Sequence, residues 1–145
     1  MRKTALFLAL LLLCTAGCTA QATKPIDKAH SLVTFTVTKW GFAEVEGRFY
    51  NFTGNVAFDE QHPERSRVEW RVRIDSVETG APNRDKALQG EEYFDAARFP
   101  EMQFVSESVT PLGGNRFEVK GRLTIRGKTR PVTIRATYGG TLWNK

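Results

Sequence analysis

The chain has 145 residues, 41% hydrophobic and 26% charged, with a net charge of +5 at pH 7. That is the length of one domain. The positive excess is mild, and its basic residues alternate with apolar ones (Arg71 and Arg73, Arg122 and Arg126) as on a solvated strand face, which argues against a nucleic-acid-binding protein.

The N-terminus reads as a leader. Met1-Arg2-Lys3 is a basic start, and Ala5 to Leu13 is an apolar run far shorter than the roughly 20 residues of a membrane span. Small residues follow from Thr15 to Ala22. This order predicts a signal peptide over residues 1–22. Two processing sites compete. Ala16-Gly17-Cys18 is similar to a lipoprotein box, in which Cys18 is acylated and tethers the protein to a membrane. Ala20-Gln21-Ala22 is an A-x-A site that would release the domain free into the bacterial periplasm. Both cysteines, Cys14 and Cys18, fall in this stretch, so the domain at 23–145 carries no disulfide and no thiol nucleophile.

The remainder alternates with a period of two. Val33, Phe35 and Val37 interleave with threonines. Phe52, Val56 and Phe58 share a phase with Gly54. Val68, Trp70, Val72 and Ile74 interleave with Arg67, Glu69, Arg71 and Arg73. Phe117, Val119, Gly121, Leu123 and Ile125 form a further run, and Val132, Ile134 and Ala136 another. One apolar face per strand predicts antiparallel sheets over a core.

Phe49 and Phe52 are out of phase, which predicts a bend near Tyr50-Asn51. Gly121 within its strand predicts a close approach or a barrel bend. His62-Pro63 is a break, and Pro111 to Asn115 reads as a hairpin connection. Residues 81–100 do not alternate. Asn83 to Gln89 predicts a short helix capped by Asn83 and ended by Gly90, in a crossover that carries Leu88, Tyr93, Phe94 and Phe99.

Chemistry-bearing motifs are sparse. His30 and His62 stand far apart, and the sequence has no HxH, HxxxH or CxxC spacing of a metal site. It has no nucleophile elbow or phosphate loop. Glu44 with Glu46 and Glu91 with Glu92 are neighbouring acids of the kind found on solvated loops. No catalytic residue, metal ligand or cofactor is expected. The apolar faces are rich in aromatic rings, which suit either a solid core or an apolar binding cavity.

In sequence order these features resemble the YceI-like family. They run through Ile26-Asp27, His30-Ser31, Lys39-Trp40-Gly41-Phe42, Val45, Gly47 and Phe49. Phe52-Thr53-Gly54, Phe58-Asp59, Ser76 to Gly80, Arg84-Asp85, Leu88, Tyr93-Phe94-Asp95 and Phe99-Pro100 follow. Gly121 to Gly127, with Thr129, Pro131 and Val132, complete the match.

The resemblance implies an all-β, antiparallel, lipocalin-like barrel with a short helical crossover. It also implies periplasmic binding of a long-chain apolar amphiphile, such as a polyisoprenoid or isoprenoid quinone, without catalysis. The ligand residues would be Phe35, Val37, Trp40, Phe42, Phe49, Phe52, Val56, Trp70, Val72, Leu88, Tyr93, Phe94 and Phe104, with Arg84 a candidate for a polar head group. The chain stops at Trp143-Asn144-Lys145, before strands that close the family's barrel. An incomplete barrel is therefore expected, with an edge open to pairing, including in a homodimer. Two rival readings are a small exported enzyme or redox partner acting on a lipid head group through Arg84, Asp85 and Glu91, and a structural or stress-response module with a solid core.

Overall fold

The computed structural model describes residues 23–140. The leader with Cys14 and Cys18 lies outside the described residues, as does Trp143.

Nine strands and one helix follow in order: β1 (Lys24–Pro25), β2 (Val33–Lys39), β3 (Ala43–Phe49), β4 (Phe52–Ala57), β5 (Arg67–Arg73), β6 (Val77–Glu78), α1 (Pro82–Gln89), β7 (Glu101–Gly113), β8 (Arg116–Ile125) and β9 (Lys128–Thr137). They form two antiparallel sheets, ordered β1-β4-β5-β7-β8-β9 and β2-β3-β6. The predicted fold class holds. Among the described residues β2 and β9 each pair on one side only, so the barrel has an open seam.

The bend expected at Tyr50-Asn51 is the corner where the chain leaves one sheet for the other. Two backbone bonds fix it: Tyr50 N–H donates to the Ser76 carbonyl at 3.2 Å, and Arg73 N–H donates to the Asn51 carbonyl at 2.8 Å. Because the corner changes sheet, Phe49 and Phe52 both point inward although their parities differ. With Val72, Ile74, Val77 and Met102 they form one buried cluster, on which Val33, Phe35, Leu88, Phe94 and Ile125 pack. A second cluster of Phe104, Val109 and Val119 lies under Phe117, Leu123, Val132 and Ala136, and Trp70 touches both clusters.

Two strands escaped the period-two reading. In β3 the inward positions are Ala43, Val45, Gly47 and Phe49, a weak apolar signal broken by a glycine. That glycine is required by packing: a Cβ at Gly47 would overlap the Phe35 ring. In β7 the inward residues Met102, Phe104 and Ser106 change parity at a bulge between Ser106 and Ser108, so that Val109 faces inward instead. Ser106 is buried at the bulge, where its Oγ accepts the Val68 N–H at 2.8 Å. This satisfies a donor that the distorted ladder leaves free.

The hairpin expected over Pro111 to Asn115 turns more tightly than predicted. Pro111 to Gly113 remain in β7, and the turn is Gly114-Asn115. The N-cap of helix α1 lies two residues earlier than the sequence suggests. Ala81 is the N-cap, without a side-chain cap, and Pro82 occupies the first turn. Asn83 is thus not the cap, because the fixed φ of Pro82 already suits the first helical position. Gly90 ends the helix as expected.

Gly121 is the close approach predicted from its place in the strand. A Cβ there would strike the Val105 carbonyl oxygen and the Phe104 ring. Gly121→Ala should therefore destabilise the fold by about 1–3 kcal/mol, read as a lower urea midpoint with an unchanged slope. A second test concerns Glu78 at the sheet junction. Its carboxylate accepts from Arg48 Nε at 2.8 Å and from Tyr50 Oη at 3.1 Å. The Arg48 bond first, then the Tyr50 bond, hold its pKa below the usual range. The folded-state pKa is depressed, so the stabilisation is present above the unfolded carboxylate range and lost as pH falls through the folded value. The thermal midpoint of Glu78→Gln should fall less than that of wild type between about pH 6 and about pH 3; an identical fall would refute the coupling.

Candidate functional site

The apolar faces of the two sheets meet at the first turn of β2. There Ile26, Ser31, Leu32, Val33, Thr34, Phe52 and Trp70 line an open cleft of about 520 Å³, in which Leu32 is largely exposed. Strand parity places Val33, Phe52 and Trp70. Val33 begins the inward row of β2, Phe52 follows the corner, and Trp70 is the central inward residue of β5. Ile26 is held by its N–H, which donates to the Gly54 carbonyl at 2.9 Å. Gly54 leaves room for it, since a Cβ there would meet the Ile26 side chain.

The structure sorts the sequence-predicted residues into three groups. Phe49, Phe52, Val72 and Phe104 are buried, and Phe35, Trp70, Leu88 and Phe94 pack half-buried on the same clusters. Their rings interlock: Phe35 with Phe49 at 5.5 Å between centroids, Phe49 with Phe94 at 6.0 Å edge-on, and Trp70 stacked on Phe104 at 5.7 Å. Of the predicted set only Phe52 and Trp70 line the cavity. Val56 is half-buried opposite Val68.

Val37, Trp40, Phe42 and Tyr93 are more than half exposed and stand apart from the interior. Trp40 and Phe42 form the tip of the β2–β3 hairpin, where Lys39 Nζ lies 4.3 Å from the Trp40 ring centroid. Trp40 adopts a left-handed backbone (φ 55°), which the tight turn imposes.

Arg84 is committed to the chain itself. Its Nε donates to Thr79 Oγ1 at 2.7 Å and its Nη2 to the Thr79 carbonyl at 2.7 Å. Asp85 accepts from Thr79 N–H at 2.8 Å and from Thr79 Oγ1 at 2.6 Å. The pair thus fastens the start of α1 to the segment leaving β6. Arg84 and Asp85 thus share a grip on Thr79.

The second half of the crossover is fastened by a buried carboxylate. Asp95 has a left-handed backbone (φ 55°) and accepts from Arg98 Nε at 2.6 Å, with Arg126 Nη2 at 3.9 Å. Arg126 also donates to the Glu91 carbonyl at 2.9 Å, and Arg98 pairs with the Glu91 carboxylate at 3.2 Å. A buried charge needs such partners. The clasp ties the crossover to the β8–β9 turn and closes that end of the interior. Glu91 and Arg84, linked in the enzyme reading, belong to separate fastenings. Among the described residues no group of three or more His, Cys, Asp or Glu side chains could hold a metal ion.

Sequence reasoning missed Ile26, Leu32 and Val33 as cavity walls, although Val33 opens the clearest Thr-alternating strand. It also missed the Asp95 clasp, because a single aspartate in a non-alternating stretch carries no periodic signal.

Comparison with known proteins agrees with this architecture. Residues 25–144 match the YceI-like domain. The chain is similar to a UPF0312 protein of Pseudomonas savastanoi pv. phaseolicola, with 34% identity over 130 residues, covering 88% of this chain and 68% of the relative. It is 36% identical over 131 residues to Protein YceI of Salmonella arizonae, covering 89% and 68%. Among solved structures, Burkholderia cenocepacia BcnA superposes with a TM-score of 0.76 at 32% identity, covering 80% of this chain and 72% of that one. The Campylobacter jejuni YCEI protein gives 0.68 at 28% identity, covering 83% and 70%. The chain belongs to the YceI-like family.

Proposed function

We propose that this protein binds the apolar chain of an amphiphilic lipid, of isoprenoid type, between its two sheets, and carries it through the periplasm without chemical change. The observation that supports this reading is the open cleft of about 520 Å³ between the sheets, with Ile26, Val33, Phe52 and Trp70 on its apolar side. Its size is within the range of small-molecule sites, which are mostly apolar with a few polar groups. Its rim supplies hydroxyls from Ser31 and Thr34 rather than charges. Each CH₂ group moved from water into such a wall gains about 0.8 kcal/mol. A prenyl chain, all methylene, methyl and planar C=C units, also needs no hydrogen-bond partner there.

The solid clusters on either side set the limits of the site. Val72 and Phe104 are fully buried and offer a ligand no surface, so the ligand would lie against the half-buried Trp70. Val33→Trp fills the cleft from the start of β2, where Val33 is half-buried at the edge of the Phe49 cluster. Organic extracts of purified wild-type protein should contain a prenyl-type lipid by mass spectrometry. Extracts of Val33→Trp should lack it, and farnesol should bind the variant at least about tenfold more weakly, a loss of about 1.4 kcal/mol. Equal loading of the two proteins would refute the site.

The leader determines how the carrier is deployed. With Cys18 acylated the domain would be tethered to a membrane, since more than one chain gives stable anchoring; cleaved after Ala22 it would be a free shuttle. Expressed in a bacterial host, a tethered full chain would carry acyl mass that Cys18→Ser loses, whereas an unmodified mature N-terminus at Thr23 would establish the shuttle.

A further inference from the structure

The β2–β3 hairpin leaves the core and ends in two bare aromatic rings. Its ladder starts where Val33 pairs with Phe49 and runs to Lys39 opposite Ala43. From the buried Phe49 to Ala43 is roughly 20 Å of strand. Along β2 the inward row passes from half-buried Val33 and Phe35 to exposed Val37. Beyond it, Trp40 is 75% exposed and Phe42 80%. Their rings lie side by side, 6.4 Å between centroids and 33° apart in plane, and among the described residues neither meets another ring. Elsewhere on the surface Leu32 and Leu112 stand singly, and Tyr50 and Tyr93 end in a hydroxyl.

The turn holds these rings at a cost in backbone strain. The Phe42 N–H donates to the Lys39 carbonyl at 3.3 Å, with Trp40 (φ 55°) and Gly41 (φ 79°) between them. Two successive left-handed residues are the pattern that Asn-Gly fills with least strain. Trp40 stands where an asparagine would be at ease, and its ring lies outside the core. Strain kept at an exposed position points to a use outside the chain. A protein partner needs more surface than this tip offers: two aromatic side chains cover about 300–500 Å², against about 800 Å² per partner in a standard interface. The polar–apolar boundary of a bilayer needs no such area. Tryptophan concentrates there, with its ring toward the acyl chains and its N–H toward water. Lys39 Nζ lies 4.3 Å from the Trp40 ring centroid, and a lysine so placed keeps its ammonium among lipid phosphates while its stem follows the ring. Residues 39–43 include no acid. The first ones, Glu44 and Glu46, lie below the turn on the outward row of β3.

We propose that the β2–β3 turn is a membrane-docking tip: Trp40 and Phe42 enter the interface of a phospholipid bilayer, with Lys39 at the level of the phosphates. The assignment does not rest on what fills the cleft at Trp70. A chain that docks by this tip yet yields no prenyl lipid keeps the tip and loses the carrier.

The test follows the Trp40 ring itself, so that an acyl chain at Cys18 or any other anchor cannot imitate the result. The probe is a vesicle of phosphatidylcholine and anionic phosphatidylglycerol, about three to one, with bromine on the acyl chains to quench any tryptophan that enters. The full wild-type chain should be quenched, and its emission should shift to the blue. Trp40→Phe should lose that component and keep only what Trp70 and Trp143 give. Adding Tyr93→Trp to Trp40→Phe should restore none of it, since Tyr93 adjoins Phe94, which packs on Phe49 at the base of the hairpin. Quenching that is the same in wild type and Trp40→Phe overturns the tip, as does full restoration by Tyr93→Trp. A blue shift that needs no vesicles and grows with protein concentration assigns the rings to a second copy and overturns it too. Trp40→Asn, suited to the left-handed turn, should hold or raise the thermal midpoint; a clear drop would give the ring a structural role in place of a docking one.

Discussion

The corner at Tyr50-Asn51 holds two opposed requirements together. A strand must alternate its side chains, yet Phe49 and Phe52 must both reach the same core. The chain meets both by changing sheet between them, pinned by backbone bonds to Ser76 and Arg73. That turn sets β2 and β3 facing β4 and β5 instead of extending their sheet. Without it Val33 would not oppose Phe52 and Trp70, and the cavity would have one wall. The bonds at the corner are ordinary in strength. Their effect is large because the burial of two phenylalanines is coupled to them.

Two fastenings then decide which parts of the interior remain open. The Thr79–Asp85–Arg84 knot and the Asp95–Arg98–Arg126 clasp hold the crossover across one end, where Leu88 and Phe94 complete the Phe49 cluster. Polar side chains here do what disulfides do in many exported domains. They fix long connections to the strands, using directed bonds in partly dry surroundings. The opposite arrangement holds at the seam, where among the described residues β9 pairs on one side only.

The strands that were legible in the sequence are those whose inward residues are large and unbroken, such as Val68 to Val72 in β5 and Phe117 to Ile125 in β8. The family resemblance supplied the architecture. What stayed hidden has definite physical causes. Gly47 removed the apolar signal from β3 because Phe35 needs its space. The bulge at Ser106 reversed parity in β7. At the site, aromatic residues were selected by type, and type does not distinguish the half-buried wall at Trp70 from the exposed hairpin tip at Trp40. Arg84 was read as a free cation because its partner is a threonine hydroxyl and carbonyl, which no charge pattern reveals.

The position of Pro131 bears on how the exposed strand behaves in a crowded compartment. The β8–β9 turn has two residues, Arg126 and Gly127, both with positive φ. Counting from its closing pair Ile125 and Lys128, the Arg122–Pro131 pair is one whose backbone groups point away from the partner strand. The missing N–H of Pro131 therefore falls on the outer rim of the sheet. A foreign strand docking there cannot build an uninterrupted ladder past that point, and templated growth of fibrils from this rim is broken near its middle. Among the described residues, this rim is therefore a poor seed for aggregation.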